Sequence, residues 1–249
     1  MISLKSPLEI KRMRHVGKLV AEILESLRSL VKPGVTTKFL NDFSEAEAKK
    51  RNAVPAFKGY AGYPYSLCCS PNEGVVHGMP SSRRLEDGDI VSLDFGLVVD
   101  GYYGDAAITL PVGSVSKEAM ALLDVTETAL SYAIARAIPG SRLHDISSTV
   151  QNYVERNGFS VVRDFVGHGI GKQLHESPQI PNFGKPGTGP LLKNGMVLAI
   201  EPMVNQGSCE VKVLEDGWTA VTADGSLSAH FEHTVAITDY GPEILTRID

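Results

Sequence analysis

The stretch Val91–Leu110, VSLDFGLVVDGYYGDAAITL, predicts a β-hairpin that carries two aspartates within its strands. Asp100-Gly101 lies between two apolar runs, and this pair favours a two-residue turn because the tight turn needs positive φ. In that register Asp94 lies opposite Ala107. Asp105 then shares a face with Asp94 as its diagonal neighbour, with their Cα atoms about 7–8 Å apart.

The two faces of this hairpin differ in character. The face with the aspartates is otherwise small and polar, and an antiparallel sheet tolerates acidic residues on a face that meets water. The hairpin alone therefore leaves two interpretations open, a solvated face or a site between the strands. The opposite face is predicted to be core and comprises Val91, Leu93, Phe95, Leu97, Val99, Tyr102, Ala106, Ile108 and Leu110.

Composition narrows the class of protein. The 249 residues are 43% hydrophobic, which is enough for one large domain or two small ones. The chain has 24 basic and 29 acidic residues, and without a Lys/Arg run it does not suggest a nucleic-acid surface. It has neither a stretch apolar enough to cross a bilayer nor a signal-peptide core, and three cysteines imply no disulfide framework. We therefore expect a cytoplasmic protein that does not bind membranes.

Two helices are predicted before the hairpin. The first begins with a capping box in which Ser6 is the N-cap, Pro7 is the first helical residue and Glu9 is the reciprocal acceptor. Apolar residues follow at helical spacing until Pro33-Gly34 ends the helix. A second helix is predicted over Thr37–Arg51.

The same order of elements recurs after the hairpin. A helix is predicted over Ser116–Ala137, followed by Pro139-Gly140 and a further helix over Leu143–Arg156. This recurrence predicts an α+β fold in a single catalytic domain. We expect two pseudo-symmetric halves, roughly 1–112 and 113–249, packed around a pseudo-twofold axis with a site between them.

Three more candidate ligands lie in the second half of the chain. Glu201 ends the apolar strand VLAIEP, Glu232 lies inside the predicted strand AHFEHTVAI (229–237), and His168 stands between two glycines in FVGHGIGKQLHESP. Each one alone has an ordinary interpretation, as a strand end at the surface, an ion-paired residue or a turn residue. Together with Asp94 and Asp105 they make four carboxylates and one imidazole.

Charge favours a pair of metal ions at such a cluster. Four carboxylates in one partly dry pocket would repel one another, and some would bind protons. Two divalent cations cancel the four charges, whereas one leaves the pocket negative. Oxygen-rich ligation with one imidazole favours Mn, Fe, Co or Mg over a thiolate zinc site.

Five sequence motifs, taken in their order along the chain, resemble those of a known enzyme family. They are NEGVVHGMP (Asn72–Pro80), SLDFG…DGYYGDAAITL, GHGIGKQLHESP, GMVLAIEP and FEHTVAI. With them the chain resembles the type I methionine aminopeptidases, which have the pita-bread fold, over nearly its whole length. The resemblance implies hydrolytic release of the N-terminal methionine from nascent proteins and peptides, with a metal-bridging hydroxide as nucleophile. It places two divalent ions, drawn from Co, Mn, Fe, Ni or Zn, on Asp94, Asp105, His168, Glu201 and Glu232.

The resemblance also implies roles for further residues. His175 is expected to hydrogen-bond the scissile carbonyl, His77 to contact the peptide nitrogen beyond it, and Glu201 to carry the proton to the leaving amine. The segment FKGYAGYPYSLCCS is rich in aromatic residues and sulfur, which suits a methionine thioether. The implied substrate-binding residues are Phe57, Tyr60, Tyr63, Cys68, His77, Leu174, His175 and Trp218.

Two other functions stay open at this point. An X-Pro aminopeptidase or prolidase shares the fold, but such enzymes usually carry an added N-terminal domain, for which we expect no room ahead of residue 6. A catalytically silent peptide-binding relative would lack metal ligands, whereas all five are present. Without the zinc-binding extension or helical insertion of other subfamilies, we expect the bacterial form, a monomer acting near the ribosome.

Overall fold

The computed structural model describes residues 2–248, which form four α-helices and a large antiparallel sheet. The α+β prediction is confirmed. The helices are α1 (Pro7–Leu30), α2 (Thr37–Lys50), α3 (Lys117–Ile134) and α4 (Leu143–Arg156).

The helix boundaries follow the predicted capping signals closely. The Ser6 hydroxyl accepts from the Glu9 N–H while the Glu9 carboxylate accepts from the Ser6 N–H, which confirms the capping box of α1. Helix α3 ends at Ile134, before the predicted Ala137. Beyond α3 the chain tightens, and the Ala137 N–H donates to the Ile134 carbonyl only three residues back.

The nine-stranded sheet carries the hairpin near its centre. Its main path is β1-β4-β5-β14-β9-β7-β8, with β2 paired to β4 and β15 paired to β14. Two three-stranded sheets, β13-β10-β6 and β11-β12-β3, complete the strands. The bounds are β1 (Val54–Pro55), β2 (Cys68–Pro71), β3 (Gly74–Val76), β4 (Ile90–Val99), β5 (Tyr102–Pro111), β6 (Ser160–Val161), β7 (Gly167–Gly169), β8 (Glu176–Ile180), β9 (Val197–Ile200), β10 (Met203–Asn205), β11 (Val211–Val213), β12 (Ala220–Thr222), β13 (Ser228–His230), β14 (Glu232–Thr238) and β15 (Gly241–Ile244).

The register predicted for the hairpin is confirmed. Asp94 pairs with Ala107, and Asp100 and Gly101 both have positive φ, as a two-residue turn requires. Most of the face with the aspartates is buried, since Asp105 and Thr109 are 4% and 3% exposed, whereas Asp94 is half-buried and lines a cavity. The end of β13 covers part of this face, since the Thr109 hydroxyl donates to the His230 carbonyl and accepts from the His230 N–H.

The helices pack on different parts of the sheet. Helix α1 lies against β4 and β5, whereas α3 packs on α4 and contacts β9 and β13. The close approach of α1 depends on Gly17, because a Cβ there would collide with the carbonyl of Leu245. The division into halves 1–112 and 113–249 stays a prediction.

One predicted strand is in fact two strands. The run 229–237 is interrupted at Phe231, so β13 and β14 belong to different sheets. His230 pairs with Met203 in the small sheet, whereas Glu232 pairs with Ala107 in the large one. The chain therefore crosses from one sheet to the other beside the hairpin aspartates. Within residues 2–248, none of the helices has the length and apolar character needed to span a membrane.

Candidate active site

All the sequence-predicted site residues line one cavity of about 280 Å³. The acidic cluster and the aromatic segment are far apart in sequence, and the fold brings them together at this cavity. The predicted residues in its wall are Phe57, Tyr60, Tyr63, Cys68, His77, Asp94, Asp105, His168, Leu174, His175, Glu201, Trp218 and Glu232. Sequence reasoning missed Val76, Asp164, Phe165 and Val166, which also line it and show no distinctive pattern.

Adjacent strands position the carboxylates. Asp94 and Asp105 come from β4 and β5, and Glu232 begins β14 directly across from Ala107. Asp105 is held on both backbone sides, since its N–H donates to the Thr234 hydroxyl and its carbonyl accepts from that hydroxyl. Glu201 follows the last residue of β9, the central neighbour of β14 and β7.

His168 depends on the two glycines that flank it. A Cβ at Gly167 would clash with the Ala199 carbonyl, and one at Gly169 would clash with the Ser177 carbonyl. The ring Nδ1 of His168 lies 2.9 Å from the carbonyl of Gly169. This contact leaves Nε2 facing the carboxylates, where it lies 3.5 Å from Oε1 of Glu201.

The ligand atoms fall into two overlapping groups, each of which could hold one cation. One is Asp105, His168 and Glu232, and the other is Glu201, His230 and Glu232, with the atoms of each group within 4.8 Å of one another. Glu232 belongs to both. Asp94, the remaining predicted ligand, is in neither group but faces the same cavity.

Burial makes it energetically unfavourable for these carboxylates to be charged when no cation is bound. It raises the pKa of Asp105 to about 7. Burial, reinforced by neighbouring carboxylate charges, raises the pKa of Asp94, Glu201 and Glu232 well above the ordinary range. Protons therefore occupy the cluster near neutral pH unless cations replace them.

Unpaired oxygen atoms indicate where such cations would bind. Asp94 Oδ1, Asp105 Oδ1 and Glu232 Oε1 are buried and have no hydrogen-bond partner in the described part of the chain. Buried polar atoms without partners are rare because each costs desolvation free energy. These carboxylate oxygens, together with imidazole nitrogen, form a donor set that fits divalent first-row metals.

Two histidines adjoin the cluster as neutral rings. Burial lowers the pKa of His168 to about 4 and that of His230 to about 3. Sequence reasoning did not select His230 as a ligand. Its position two residues before Glu232, in the run predicted as one strand, was the available signal, although the break at Phe231 places the two residues in different sheets.

The other end of the cavity is apolar. The rings of Tyr63 and Trp218 meet edge to face, with centroids 5.1 Å apart. The Tyr63 hydroxyl donates to the Gly78 carbonyl at 3.0 Å, which gives its buried polar group a partner. Burial raises the pKa of Cys68, which keeps its thiol neutral. This end can hold a medium-sized apolar side chain.

Two further histidines lie between the carboxylates and the apolar end. The Tyr60 hydroxyl lies 2.7 Å from Nδ1 of His175, and the ring of His175 lies 4.3 Å from that of His168. His77 has a φ of 59°, an uncommon conformation for a residue with a side chain. Its ring packs edge-on against Phe165 at 5.4 Å.

Comparison with known proteins identifies the family. The model of metallopeptidase family M24 matches residues 11–239. The chain belongs to metallopeptidase family M24. Among M24 relatives, it is 56% identical to a methionine aminopeptidase of Clostridium perfringens, and the match covers 100% of both chains.

Solved structures of M24 members agree with this assignment. The methionine aminopeptidase of Thermotoga maritima superimposes with a TM-score of 0.98 at 51% identity, and the match covers 100% of each chain. The prolidase of Pyrococcus horikoshii matches at a TM-score of 0.80 and 23% identity, covering 99% of this chain but 64% of the prolidase. The latter likeness shows the shared pita-bread fold alone.

Proposed function

We propose that this M24 metallopeptidase removes the N-terminal methionine from peptides and proteins by metal-dependent hydrolysis. The observation that carries the proposal is the buried carboxylate–imidazole cluster at one end of a cavity whose other end is apolar. Full-length relatives named methionine aminopeptidase support the same substrate. The cluster can bind the metal ions needed to hydrolyse a peptide bond, and the apolar end can bind one apolar side chain.

The residues that would hold two divalent ions are Asp94, Asp105, His168, Glu201 and Glu232. When bound, such ions supply Lewis acidity toward the scissile carbonyl and the attacking water, and a positive centre near the free α-amino group. The identity of the metal, drawn from Co, Mn, Fe, Ni or Zn, and the requirement for two ions rather than one are part of the proposal.

Proton transfer is assigned to Glu201. Its carboxylate faces the cluster and is only slightly exposed, and burial raises its pKa. A carboxylate with a raised pKa can accept a proton from the attacking water and donate it to the leaving amine. Glu201 thus connects bond formation with bond cleavage.

The two histidines between the ends of the cavity are assigned to the peptide bond. His175 would donate a hydrogen bond from Nε2 to the carbonyl oxygen, with Tyr60 orienting the ring through Nδ1. His77 would contact the peptide nitrogen beyond the scissile bond. Their arrangement stabilises charge that develops as the carbonyl is attacked.

Side-chain selection is assigned to the apolar end. Aromatic edges and a neutral thiol make favourable contacts with a thioether, which suits methionine. Branched or charged side chains would lose these contacts or bury a charge without a partner. The residues assigned to this selection are Phe57, Tyr60, Tyr63, Cys68, Leu174 and Trp218.

A peptide panel tests the proposal. Metal-loaded protein is incubated with Met-Ala-Ser, Leu-Ala-Ser and Ala-Pro-Ser, and free amino acids are quantified. We expect release of methionine alone and a large loss of rate for Glu201→Gln at equal metal content. Cleavage of only the X-Pro peptide would instead indicate a prolidase or X-Pro aminopeptidase. Absence of both metal uptake and turnover with added Co²⁺ or Mn²⁺ would indicate a silent peptide-binding protein.

The setting of the reaction is part of the same proposal. We propose nascent polypeptides as physiological substrates, a cytoplasmic location, a monomeric enzyme and proximity to the ribosome. The absence of a Lys/Arg run supports a role without nucleic-acid readout.

A further inference from the structure

We propose that Lys5 is a positioning residue for His175 and acts through an ion pair with Glu176. The pair fixes the loop of residues 170–175, which joins β7 to β8, and this loop places the His175 ring at the scissile carbonyl. The inference rests on the role of His175 in the proposed function. It gives the segment that precedes α1 a part in the reaction.

The ion pair between Lys5 and Glu176 is short and buried. The Lys5 Nζ donates to Oε2 of Glu176 at 2.6 Å, and the two side chains are 5% and 14% exposed. Burial opposes ionisation of Glu176, but the hydrogen bond from Lys5 and its charge outweigh burial and lower the pKa of this carboxyl. Removing one partner would leave the other charge buried without compensation, so the two side chains hold each other in place.

Glu176 also binds the backbone of the loop through its other oxygen. Its Oε1 accepts from the N–H of Lys172 at 2.8 Å and from the N–H of Gln173 at 3.2 Å. Gly171 lets the lysine stem come close, because a Cβ at this position would lie 2.5 Å from Cε of Lys5. One carboxylate therefore connects Lys5 to the loop at three points.

The backbone of Lys5 is itself fixed. Lys5 immediately precedes Ser6, the N-cap of α1. Its N–H donates to the Gly195 carbonyl at 2.7 Å, and the Gly195 N–H donates to the carbonyl of Ile237 in β14. The start of α1 and the large sheet thus provide a rigid base from which the Lys5 side chain reaches the loop.

His175 depends on the loop for its position. The residue is exposed, and its ring also lines a second cavity of about 440 Å³ whose wall includes Lys5 and Glu176. Packing therefore leaves one side of the ring open. In the chain, the buried Leu174 fixes the backbone before His175, and the ion-paired Glu176 fixes it after His175. The hydrogen bond to Tyr60 then sets the orientation of the ring.

Lys5→Met in metal-loaded protein tests the inference, because methionine has a similar length but no charge. We expect kcat for Met-Ala-Ser to fall about 10- to 100-fold, since displacing a catalytic group by on the order of 1 Å has an effect of this size. KM should change by less than about twofold, because His175 acts on charge that develops in the transition state. Metal content is measured in every sample.

A double variant separates positioning from general structural support. In protein that already carries His175→Ala, Lys5→Met should lower kcat by less than about twofold, because no imidazole remains to be positioned. A merely structural role would lower kcat equally in both backgrounds. If Lys5→Met does not fold, Glu176→Gln replaces it in the same cycle. Its amide oxygen can still accept from the loop N–H groups, whereas the charge that attracts Lys5 is gone.

Arg14→Met is the matched control. Arg14 also forms an ion pair with a residue distant in sequence, Glu243, but this pair joins α1 to β15 and does not involve the loop. Both of its side chains are partly exposed, so its loss should change kcat by less than about twofold.

NMR of the protein saturated with Zn²⁺ reports on His175 without turnover. The Cε1–H resonance of its ring, assigned by its loss in His175→Ala, should shift or broaden in Lys5→Met and stay unchanged in Arg14→Met. An unchanged resonance in folded Lys5→Met, or an equal loss of kcat in both backgrounds, would overturn the inference. A parent protein that releases no methionine would overturn the proposed function, and the resonance would still decide whether Lys5 positions His175.

Discussion

Replacing Asp105 by Asn should stabilise the metal-free protein while weakening its response to metal. Asn has nearly the shape of Asp but carries no charge at any pH. Asp105 is 4% exposed, and burial raises its pKa to about 7. The folded protein therefore retains a proton on Asp105 up to about pH 7, whereas an unfolded aspartate loses it near its ordinary pKa of 3.8.

The size of the effect follows from this difference in proton binding. Between pH 4 and 7 the folded state binds more protons than the unfolded state, so the free energy of unfolding falls as pH rises. A shift from 3.8 to about 7 corresponds to about 4 kcal/mol at about 1.4 kcal/mol per pKa unit. The amide that replaces the carboxyl group in Asp105→Asn does not titrate, so the stability of the variant relative to the parent should rise by about this amount across the interval.

Urea unfolding in EDTA at several pH values between 4 and 8 measures this difference. Buried histidines also titrate in this range and are present in both proteins. The Asp105 charge helps to raise the pKa of Asp94, Glu201 and Glu232, so its removal should lower these pKa values and add to the relative stability of the variant at higher pH. Added Co²⁺ should reverse the order at pH 8, because the parent binds it more tightly. A difference in stability that does not change with pH would refute the reasoning, as would an Asn variant that loses relative stability toward pH 8.

Three further predictions concern the cluster and its neighbours. Glu201→Gln should lower kcat by about 10²- to 10⁴-fold with little change in KM, since it removes proton transfer. Steady-state kinetics at measured metal content tests this, and a near-normal kcat would contradict the role of Glu201. Tyr60→Phe should lower kcat by about five- to tenfold through loss of one hydrogen bond to His175, whereas Tyr65→Phe, a tyrosine outside the cavity wall, should not. Calorimetry in buffers of different ionisation enthalpy should show that Co²⁺ binding releases protons. The affinity for Co²⁺ should rise with pH through about 7. Binding without proton release would contradict the raised pKa values.

Local signals made the hairpin and the helices predictable. The Asp100-Gly101 turn sets the register of β4 against β5, and that register determines which side chains share the face of Asp94. The capping box at Ser6 likewise determines where α1 begins. In each case residues close in the chain decide the outcome.

The break at Phe231 was not predictable from local pattern. Whether His230 and Glu232 pair with β10 or with β5 depends on strands distant in sequence. The same applies to the approach of His230 to Glu201, which requires the relative placement of β13 and the end of β9.

The candidate site was predictable in its residues more than in its arrangement. The charge argument brought the four carboxylates and His168 together, and the structure places them at one cavity. Asp94 lies outside both three-residue ligand groups, a detail that depends on side-chain rotamers. Roles for His77 and His175 came from family resemblance, because no spacing in the sequence relates them to a peptide bond.

Anomalous diffraction from crystals soaked with Co²⁺ tests the central claim most directly. If buried carboxylates are tolerated here because divalent ions bind among them, peaks at the cobalt edge should appear beside Asp105, Glu201 and Glu232. The account predicts two peaks in this cavity, surrounded by the five proposed ligands Asp94, Asp105, His168, Glu201 and Glu232. A cavity without any anomalous peak at saturating Co²⁺ would contradict it.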